Sequence, residues 1–233
     1  MTDFHHIYAE EAAAYDAMVA CEDYQGNLWT TLHALCPLDG LNVVEMGAGT
    51  GRITLYAAPL VDRIMAFDLS PKMLAIAREK LRAGGFDHAL TVVADNAALP
   101  VKARTADVVI AGWSLGHSCG WFPGEWRDVV GAALSEMERV LKPGGSVIII
   151  ETLGTGTSAP QPPTENLAAF YRLLESVYGF RRSVVPTDYR FESPEAAAER
   201  TRFFFGSELA DRLLKDKRTI LPEWTGVWHK QIP

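Results

Sequence analysis

The chain has 233 residues, of which 48% are hydrophobic and 22% charged, so its composition suits one α/β domain with additions and excludes a largely disordered protein. The formal net charge of −7 argues against nonspecific nucleic-acid binding, which needs a basic surface. No apolar run reaches the ~18 residues that span a bilayer, and the first residues lack the basic start and apolar core of a signal peptide. We therefore expect a cytoplasmic protein with neither nucleic acid nor membrane as partner.

Two helical stretches are predicted between Ile7 and Cys36, separated by Gly26-Asn27. The first has one face with Tyr8, Glu11, Tyr15 and Met18 at three-to-four spacing. Such a face is equally typical of a helix packed on the core, so the pattern alone does not assign a function to Tyr15.

A β-branched run over Leu41–Met46 predicts the first strand, which ends at the glycine turn Gly47-Ala48-Gly49-Thr50-Gly51. Glycines at these positions can adopt positive φ and leave room for a bulky ligand beside the main chain. The G-x-G-x-G spacing places the third glycine one residue earlier than in the dinucleotide fingerprint, which disfavours a nicotinamide site. The helix from Arg52 to about Leu60 begins at this turn and directs the positive end of its dipole toward it.

The next two predicted strands are followed by acidic residues. The second strand, Arg63–Asp68, ends in a carboxylate that suits a ribose diol in either an adenosylmethionine or an NAD site. Ser70-Pro71 starts the following helix, which Gly84-Gly85 ends. The third strand, Leu90–Ala94, precedes Asp95-Asn96.

The fourth strand, Ala106–Gly112, leads into Trp113 and His117. This exit has neither the Asn-Pro-Pro-Tyr box of base-flipping methyltransferases nor an aspartate for magnesium, so we expect no metal site there. The segment 117–126 is too irregular for a helix or a strand and is interpreted as a loop lining a pocket. Its aromatic residues can stack on a planar ligand, attract a cation or belong to the core.

The rest of the chain continues the alternation of helices and strands. A helix from Val129 to Leu141 is stopped by Lys142-Pro143-Gly144-Gly145, and an apolar fifth strand follows. The predicted elements after the helix are the strand Ser146–Glu151, a mobile loop Thr152–Pro163, a helix Asn166–Tyr178, a strand around Ser183–Val185, helices Pro194–Phe205 and Ser207–Lys215, and a strand Thr225–Lys230. Such alternation indicates a parallel sheet covered on both faces, with ligands at the carboxyl ends of its strands.

Taken in order, the glycine turn, Glu45, Asp68, Asp95-Asn96 and the L-K-P-G-G element resemble the class I S-adenosylmethionine-dependent methyltransferases. The likeness is strongest to the small-molecule branch that includes the ubiquinone and menaquinone C-methyltransferases. It implies a Rossmann-like α/β fold with a seven-stranded, mostly parallel sheet, helices on both faces, an antiparallel last strand and an N-terminal helical lid. It also implies one domain over 1–233, with the lid in 1–40, the cofactor-binding core in 41–151 and substrate-side helices and final strands in 152–233.

The same resemblance implies S-adenosylmethionine as cofactor and S-adenosylhomocysteine as product. It places Tyr15 near the methionine part, Asp68 at the ribose, Leu69 and Met73 beside the adenine, Asp95 on the adenine amino group and the Asn96 N–H on the ring. The predicted cofactor residues are Tyr15, Glu45, Gly47, Ala48, Gly49, Gly51, Asp68, Leu69, Met73, Asp95, Asn96, Gly112 and Trp113. The predicted substrate residues are Trp121, Phe122 and Tyr171.

Methyl transfer from a sulfonium is a direct displacement in which positioning supplies much of the acceleration. If the acceptor is a phenol, enol or amine, His117 is the predicted base, because histidine titrates near neutral pH. His5, His6, Glu125 and Tyr171 are alternatives, as is a capping role for His117. Three other functions stay open: an NAD-binding oxidoreductase, a nucleoside-binding protein without transferase activity, and an arsenite methyltransferase using Cys21, Cys36 and Cys119.

Overall fold

The computed structural model describes residues 4–233, with side chains from Ile7 onward. A seven-stranded sheet has the order β3-β2-β1-β4-β5-β9-β6. Its strands are β1 (Asn42–Met46), β2 (Arg63–Asp68), β3 (Ala89–Val93), β4 (Ala106–Gly112), β5 (Leu141–Thr155), β6 (Arg181–Pro186) and β9 (Glu223–Gln231). The β9 strand runs antiparallel to both β5 and β6, and the other paired strands of this sheet are parallel. The predicted fold class, including the antiparallel last strand, is therefore confirmed.

Helices flank the sheet and form most of the connections. They are α1 (Phe4–Glu10), α2 (Ala12–Val19), α3 (Asn27–Leu35), α4 (Arg52–Ala57), α5 (Pro71–Ala83), α6 (Ser118–Trp121), α7 (Trp126–Val140), α8 (Glu165–Ser176), α9 (Pro194–Phe205) and α10 (Ser207–Lys215). A 3-10 turn, Leu115–His117, precedes α6, and a separate ribbon pairs β7 (Tyr189–Arg190) with β8 (Ile220–Leu221). None of the helices described between residues 4 and 233 has the length and apolar character needed to span a membrane.

Successive residues of the central strands point to opposite faces of the sheet, and each face has its own core. Val43 and Ile110 pack with α3 and α4 residues such as Leu28 and Ile53. On the other face, Val44, Val109 and their neighbours pack with α7 and α8, where Trp126, Phe170 and Tyr171 are almost fully buried. The two cores hold the sheet between helical layers, so that the carboxyl ends of β1, β2 and β4 meet at one edge.

Three element boundaries differ from the sequence prediction. The N-terminal region forms three helices instead of two, because Glu11 leaves helical geometry (φ −118°, ψ 25°) and both α1 and α2 then contact α5. The predicted loop 117–126 contains the short helix α6, packed against α7 and α8. The β5 strand starts at Leu141 and runs to Thr155, because β9 pairs with it well beyond Glu151.

Candidate active site

The glycine turn between β1 and α4 has positive φ at all three glycines, +73° at Gly47, +54° at Gly49 and +85° at Gly51. A Cβ on Gly47 would clash with the Cβ of Ser114, and one on Gly51 would lie 2.9 Å from the Cβ of Ala77. The space beside these two glycines is therefore filled by the protein itself, which corrects the expectation that all three make room for a ligand. A Cβ on Gly49 would meet only the end of Met73, at 3.5 Å.

Asp68 at the end of β2 is held rigidly beside this turn. Its Oδ2 accepts a hydrogen bond from the N–H of Gly49 and its Oδ1 one from the N–H of Ser70, both at 2.8 Å. Burial raises the pKa of Asp68, while these two hydrogen bonds favour the ionised form. Each carboxylate oxygen keeps a second lone pair, so a bound diol can donate to a carboxylate whose position is already fixed.

A cavity of about 340 Å³, here called the first cavity, opens at this edge of the sheet. Leu69 is 60% exposed beside it, which leaves an apolar surface available to a flat ring. Of the predicted cofactor residues, those that line the first cavity are Tyr15, Glu45, Gly47, Ala48, Gly49, Asp68, Leu69, Met73, Asn96, Gly112 and Trp113. Sequence reasoning missed the other residues that line it, namely Tyr8, Ala9, Val19, Thr50, Arg52, Ile53, Ser70, Pro71 and Ser114.

Four predicted site residues lie away from the cavities. Gly51 packs against α5, and the exposed Asp95 accepts a 2.8 Å hydrogen bond from the N–H of Ala97, so its carboxylate caps its own loop. Phe122 is 45% exposed outside the cavities. Tyr171 belongs to the core, where its hydroxyl donates to the carbonyl of Thr152 at 2.8 Å.

Glu45 forms part of the floor of the first cavity and is 1% exposed. The hydroxyl of Thr54 donates to its Oε2 at 2.5 Å. Burial raises the pKa of Glu45 to about 8, so this carboxyl holds its proton at neutral pH. It is a neutral hydrogen-bonding group under the glycine turn.

A second cavity, of about 600 Å³, adjoins the first. The two share a wall made of Tyr8, Tyr15, Val19, Arg52, Trp113, His117 and Trp121. Trp113 has a positive φ of +48°, and its N–H donates to the carbonyl of Ile150 at 2.7 Å. A strained backbone at the end of β4 thus places one aromatic ring at the junction of both cavities.

His117 also lies at this junction. Its Nε2 is 2.9 Å from the hydroxyl of Tyr8, and its ring stacks on Trp121 with centroids 4.9 Å apart. Two neighbours therefore fix the orientation of an imidazole that lines both cavities, a placement that suits proton transfer to or from a bound ligand. Among the alternatives, Glu125 is exposed at the start of α7, and the side chains of His5 and His6 lie outside the described residues.

Buried charges line the second cavity, and sequence reasoning did not find them. They are Arg52 at the start of α4, Glu22 after α2, Glu151 within β5 and Glu223 at the start of β9. Each stands in a different segment, without a motif around it. No pattern in the sequence joins them, because only the packing of distant elements brings them together.

Comparisons with known proteins agree with this geometry. Residues 44–149 match the family described as "Methyltransferase domain". A demethylmenaquinone methyltransferase of Lactococcus lactis is 30% identical over 152 residues, and a ubiquinone/menaquinone biosynthesis C-methyltransferase of Klebsiella pneumoniae is 32% identical over 155. Each alignment covers 63% of this chain and 57% of the relative, so the chain spans little more than half the length of these curated relatives.

A solved structure of an S-adenosylmethionine-dependent methyltransferase from Aquifex aeolicus superposes with a TM-score of 0.58. It is 15% identical, and the superposition covers 93% of each chain, which is a likeness of fold.

The strand order, the glycine turn and the fixed Asp68 agree with the fold and cofactor site of a class I S-adenosylmethionine-dependent methyltransferase. Residues 44–149, a little under half of the chain, resemble a methyltransferase domain, and the relatives that share this part include ubiquinone/menaquinone C-methyltransferases.

Proposed function

We propose that the protein transfers the methyl group of S-adenosylmethionine to a small-molecule acceptor. The observation that carries this proposal is the contiguity of the two cavities, which meet at Tyr15, Trp113 and His117. A cofactor in the first cavity and an acceptor in the second would meet at this shared wall. Direct displacement needs such an arrangement, in which the acceptor atom is held in line with the methyl carbon.

The first cavity has groups that suit each part of the cofactor. Asp68 offers two fixed oxygens to a ribose diol, and Leu69 and Met73 offer apolar surface to an adenine. The start of α4 presents N–H groups and the positive end of its dipole to a carboxylate. When bound, the cofactor supplies an electrophilic methyl group on a sulfonium.

We propose that His117 accepts the proton of the acceptor. The ring nitrogen Nε2 is hydrogen-bonded to the Tyr8 hydroxyl, and the stacked Trp121 holds the ring at the shared wall. Trp121 remains our candidate for acceptor contact, since it lines both cavities.

The proposed division of the chain follows the same two cavities. We propose a single methyltransferase domain over 1–233, in which 1–40 forms a lid, 41–151 the cofactor-binding core and 152–233 the substrate side. The positions of Tyr8 and Tyr15 support the assignment of 1–40 as a lid, because these residues line the shared wall from α1 and α2.

Calorimetric titration of the purified protein with S-adenosylmethionine, S-adenosylhomocysteine and NAD tests the cofactor. We expect both sulfur nucleosides to bind and NAD not to bind. Screening small phenols, enols and amines for release of S-adenosylhomocysteine then tests the transfer. Binding of NAD alone would overturn the proposal, and binding of the nucleosides without turnover of any acceptor would favour a binding protein.

A further inference from the structure

Three ionisable side chains, far from each other in sequence, come together in the wall of the second cavity. Arg52 Nη1 donates to Glu22 Oε2 at 2.7 Å, and Glu223 lies close enough to both to interact electrostatically. The Glu22 side chain is only 4% exposed and Glu223 is 3% exposed. They are buried in the protein and bounded on one side by the cavity.

Each of the three has a buried atom without a hydrogen bond of 3.5 Å or less among the described residues, namely Glu22 Oε1, Arg52 Nη2 and Glu223 Oε2. The side chains of Tyr189 and Thr155 interact more loosely with Glu22 and Glu223, respectively. A buried polar atom left unpaired costs roughly 1–3 kcal/mol, more when it is charged. Their orientation is nevertheless fixed: Thr152 donates to Glu223 Oε1 at 2.7 Å, and the Arg52 guanidinium lies 4.3 Å from the centre of the Trp113 ring. Unpaired atoms held in place beside a cavity indicate a polar group of a ligand.

The charges of the cavity wall indicate which kind of polar group the ligand carries. Arg52 is one cation among three carboxyl groups, since Glu151 also lines the cavity and accepts from the N–H of Gly116 at 2.7 Å. Burial raises the pKa values of Glu151 and Glu223 to about 8. A cationic ligand would compensate a negative charge at Glu223 and stabilise its ionised form. An anionic ligand would lie beside two or three carboxyl groups and only one guanidinium, so the wall does not favour it.

The rest of the second cavity suits an apolar molecule. Its wall includes Val19, Leu167, Phe204 and Phe205, and Trp121 lies at the shared side. The volume of about 600 Å³ is large enough for a molecule with an aromatic ring. The site therefore combines an apolar space with one charged corner.

We propose that the acceptor is a largely apolar molecule that carries a protonated amino group, bound by Glu22 and Glu223 at this charged corner. This inference rests on the proposed function and names the class of its acceptor. Ammonium N–H groups would donate to the two unpaired carboxylate oxygens, and such charge-assisted hydrogen bonds are about twice as strong as neutral ones. The amino group anchors the acceptor, while another part of the molecule lies at the wall shared with the first cavity.

Three probes of similar shape and different charge test the proposal: tyramine, 4-ethylphenol and 3-(4-hydroxyphenyl)propionate. Their dissociation constants are measured by calorimetry with the full chain, both alone and with saturating S-adenosylhomocysteine. We expect tyramine to bind at least about tenfold more tightly than the other two, as hydrogen bonds to charged groups predict. In E223Q, which keeps the size of the side chain, the preference for tyramine should fall by about tenfold.

The matched control is E199Q, which removes a carboxylate from the exposed surface of α9 and should leave the preference unchanged. Affinity of E223Q for S-adenosylhomocysteine reports whether this variant is folded. Equal affinity for all three probes, a preference for the propionate, no binding of any probe, or an unchanged preference in folded E223Q would overturn the proposal. If the proposed function itself is wrong, S-adenosylhomocysteine will not bind even when no probe is present. The two kinds of failure can therefore be distinguished.

Discussion

The two cavities are built in different ways. The first is formed largely by strand ends and the turns that follow them, and Asp68 is fixed by N–H groups of Gly49 and Ser70. The second takes its ionisable residues from segments that are distant in the sequence, from Glu22 to Glu223. Local chain geometry therefore determines much of the first cavity, whereas tertiary packing determines the second. The proposed cofactor site could therefore be inferred from short motifs, whereas the proposed acceptor site could not.

The largest effect is expected at the shared wall. If the two cavities have different roles, a substitution there should lower turnover without weakening cofactor binding. H117A should lower turnover by about 10²–10⁴-fold, the usual contribution of a general base. Its affinity for S-adenosylhomocysteine should stay nearly unchanged, since Asp68 and the glycine turn are intact. The measurement is S-adenosylhomocysteine release with an acceptor found by screening, together with calorimetry.

Y8F is the matched variant for this test, because it removes only the hydroxyl that contacts His117 Nε2. It should lower turnover by less, about tenfold, which is the value of one hydrogen bond to an ionisable group. Unchanged turnover in H117A would remove this residue from the mechanism. An equal loss of cofactor affinity would show that the two cavities do not act separately.

The next largest effect concerns the first cavity alone. D68A should weaken binding of S-adenosylhomocysteine by at least about 100-fold, because two hydrogen bonds to a carboxylate are lost at roughly 1.5–3 kcal/mol each. It also leaves the N–H groups of Gly49 and Ser70 without this partner. Calorimetry on D68A and D68N separates charge from shape, and D68N should fall between D68A and the wild type. Unchanged affinity in D68A would contradict the placement of the ribose.

A third experiment asks whether the glycine turn is set by the protein's own packing. G47A should lower the free energy of unfolding by about 2 kcal/mol or more, because an alanine Cβ would clash with Ser114 at a strained φ of +73°. G124A is the control, since Gly124 is exposed and an added Cβ would have no neighbouring atom within 4 Å. Its effect should stay within about 0.5 kcal/mol. Urea denaturation measures both, and equal stabilities would contradict this account of Gly47.

The effect that is smallest per pH step is a pH dependence of stability that both cavities should share. Burial raises the pKa of Glu45 from 4.5 to about 8, so the folded state retains a proton that the unfolded chain has released. This carboxyl therefore stabilises the fold fully below about pH 4.5, and its contribution decreases as the pH rises to about 8. E45Q should flatten the decline in the free energy of unfolding by up to about 1 kcal/mol per pH unit in that window.

E151Q should flatten the same decline from the side of the second cavity, because burial raises the pKa of Glu151 to about 8 as well. Urea denaturation at several pH values between 5 and 8 gives the slopes. Slopes in both variants that match the wild type would show that neither carboxyl keeps its proton in the folded protein.

The sequence predicted much of the fold, because its signals are local. Apolar runs gave the strands of the sheet, and the positive φ values at Gly47, Gly49 and Gly51 agree with the predicted turn. The break at Glu11 could not be predicted, since it depends on how α1 and α2 contact α5.

The candidate site was most directly predictable where a residue follows a strand closely in sequence. Asp68 and Trp113 are of this kind, and both line the first cavity. The direction of an aromatic side chain in a helix or loop depends on the packing around it, so Tyr171 in the core and exposed Phe122 gave the same signal as Trp121. Glu22, Arg52 and Glu223 gave no signal, because isolated charged residues are ordinary on protein surfaces.

The position of β9 between β5 and β6 has a consequence for protein synthesis. Among the described strands, β6 hydrogen-bonds only with β9, the last strand to leave the ribosome. The strands that carry the glycine turn and Asp68 precede β5 in the chain, whereas Glu223 belongs to β9. During translation, the first cavity can therefore assemble before the wall of the second cavity is completed.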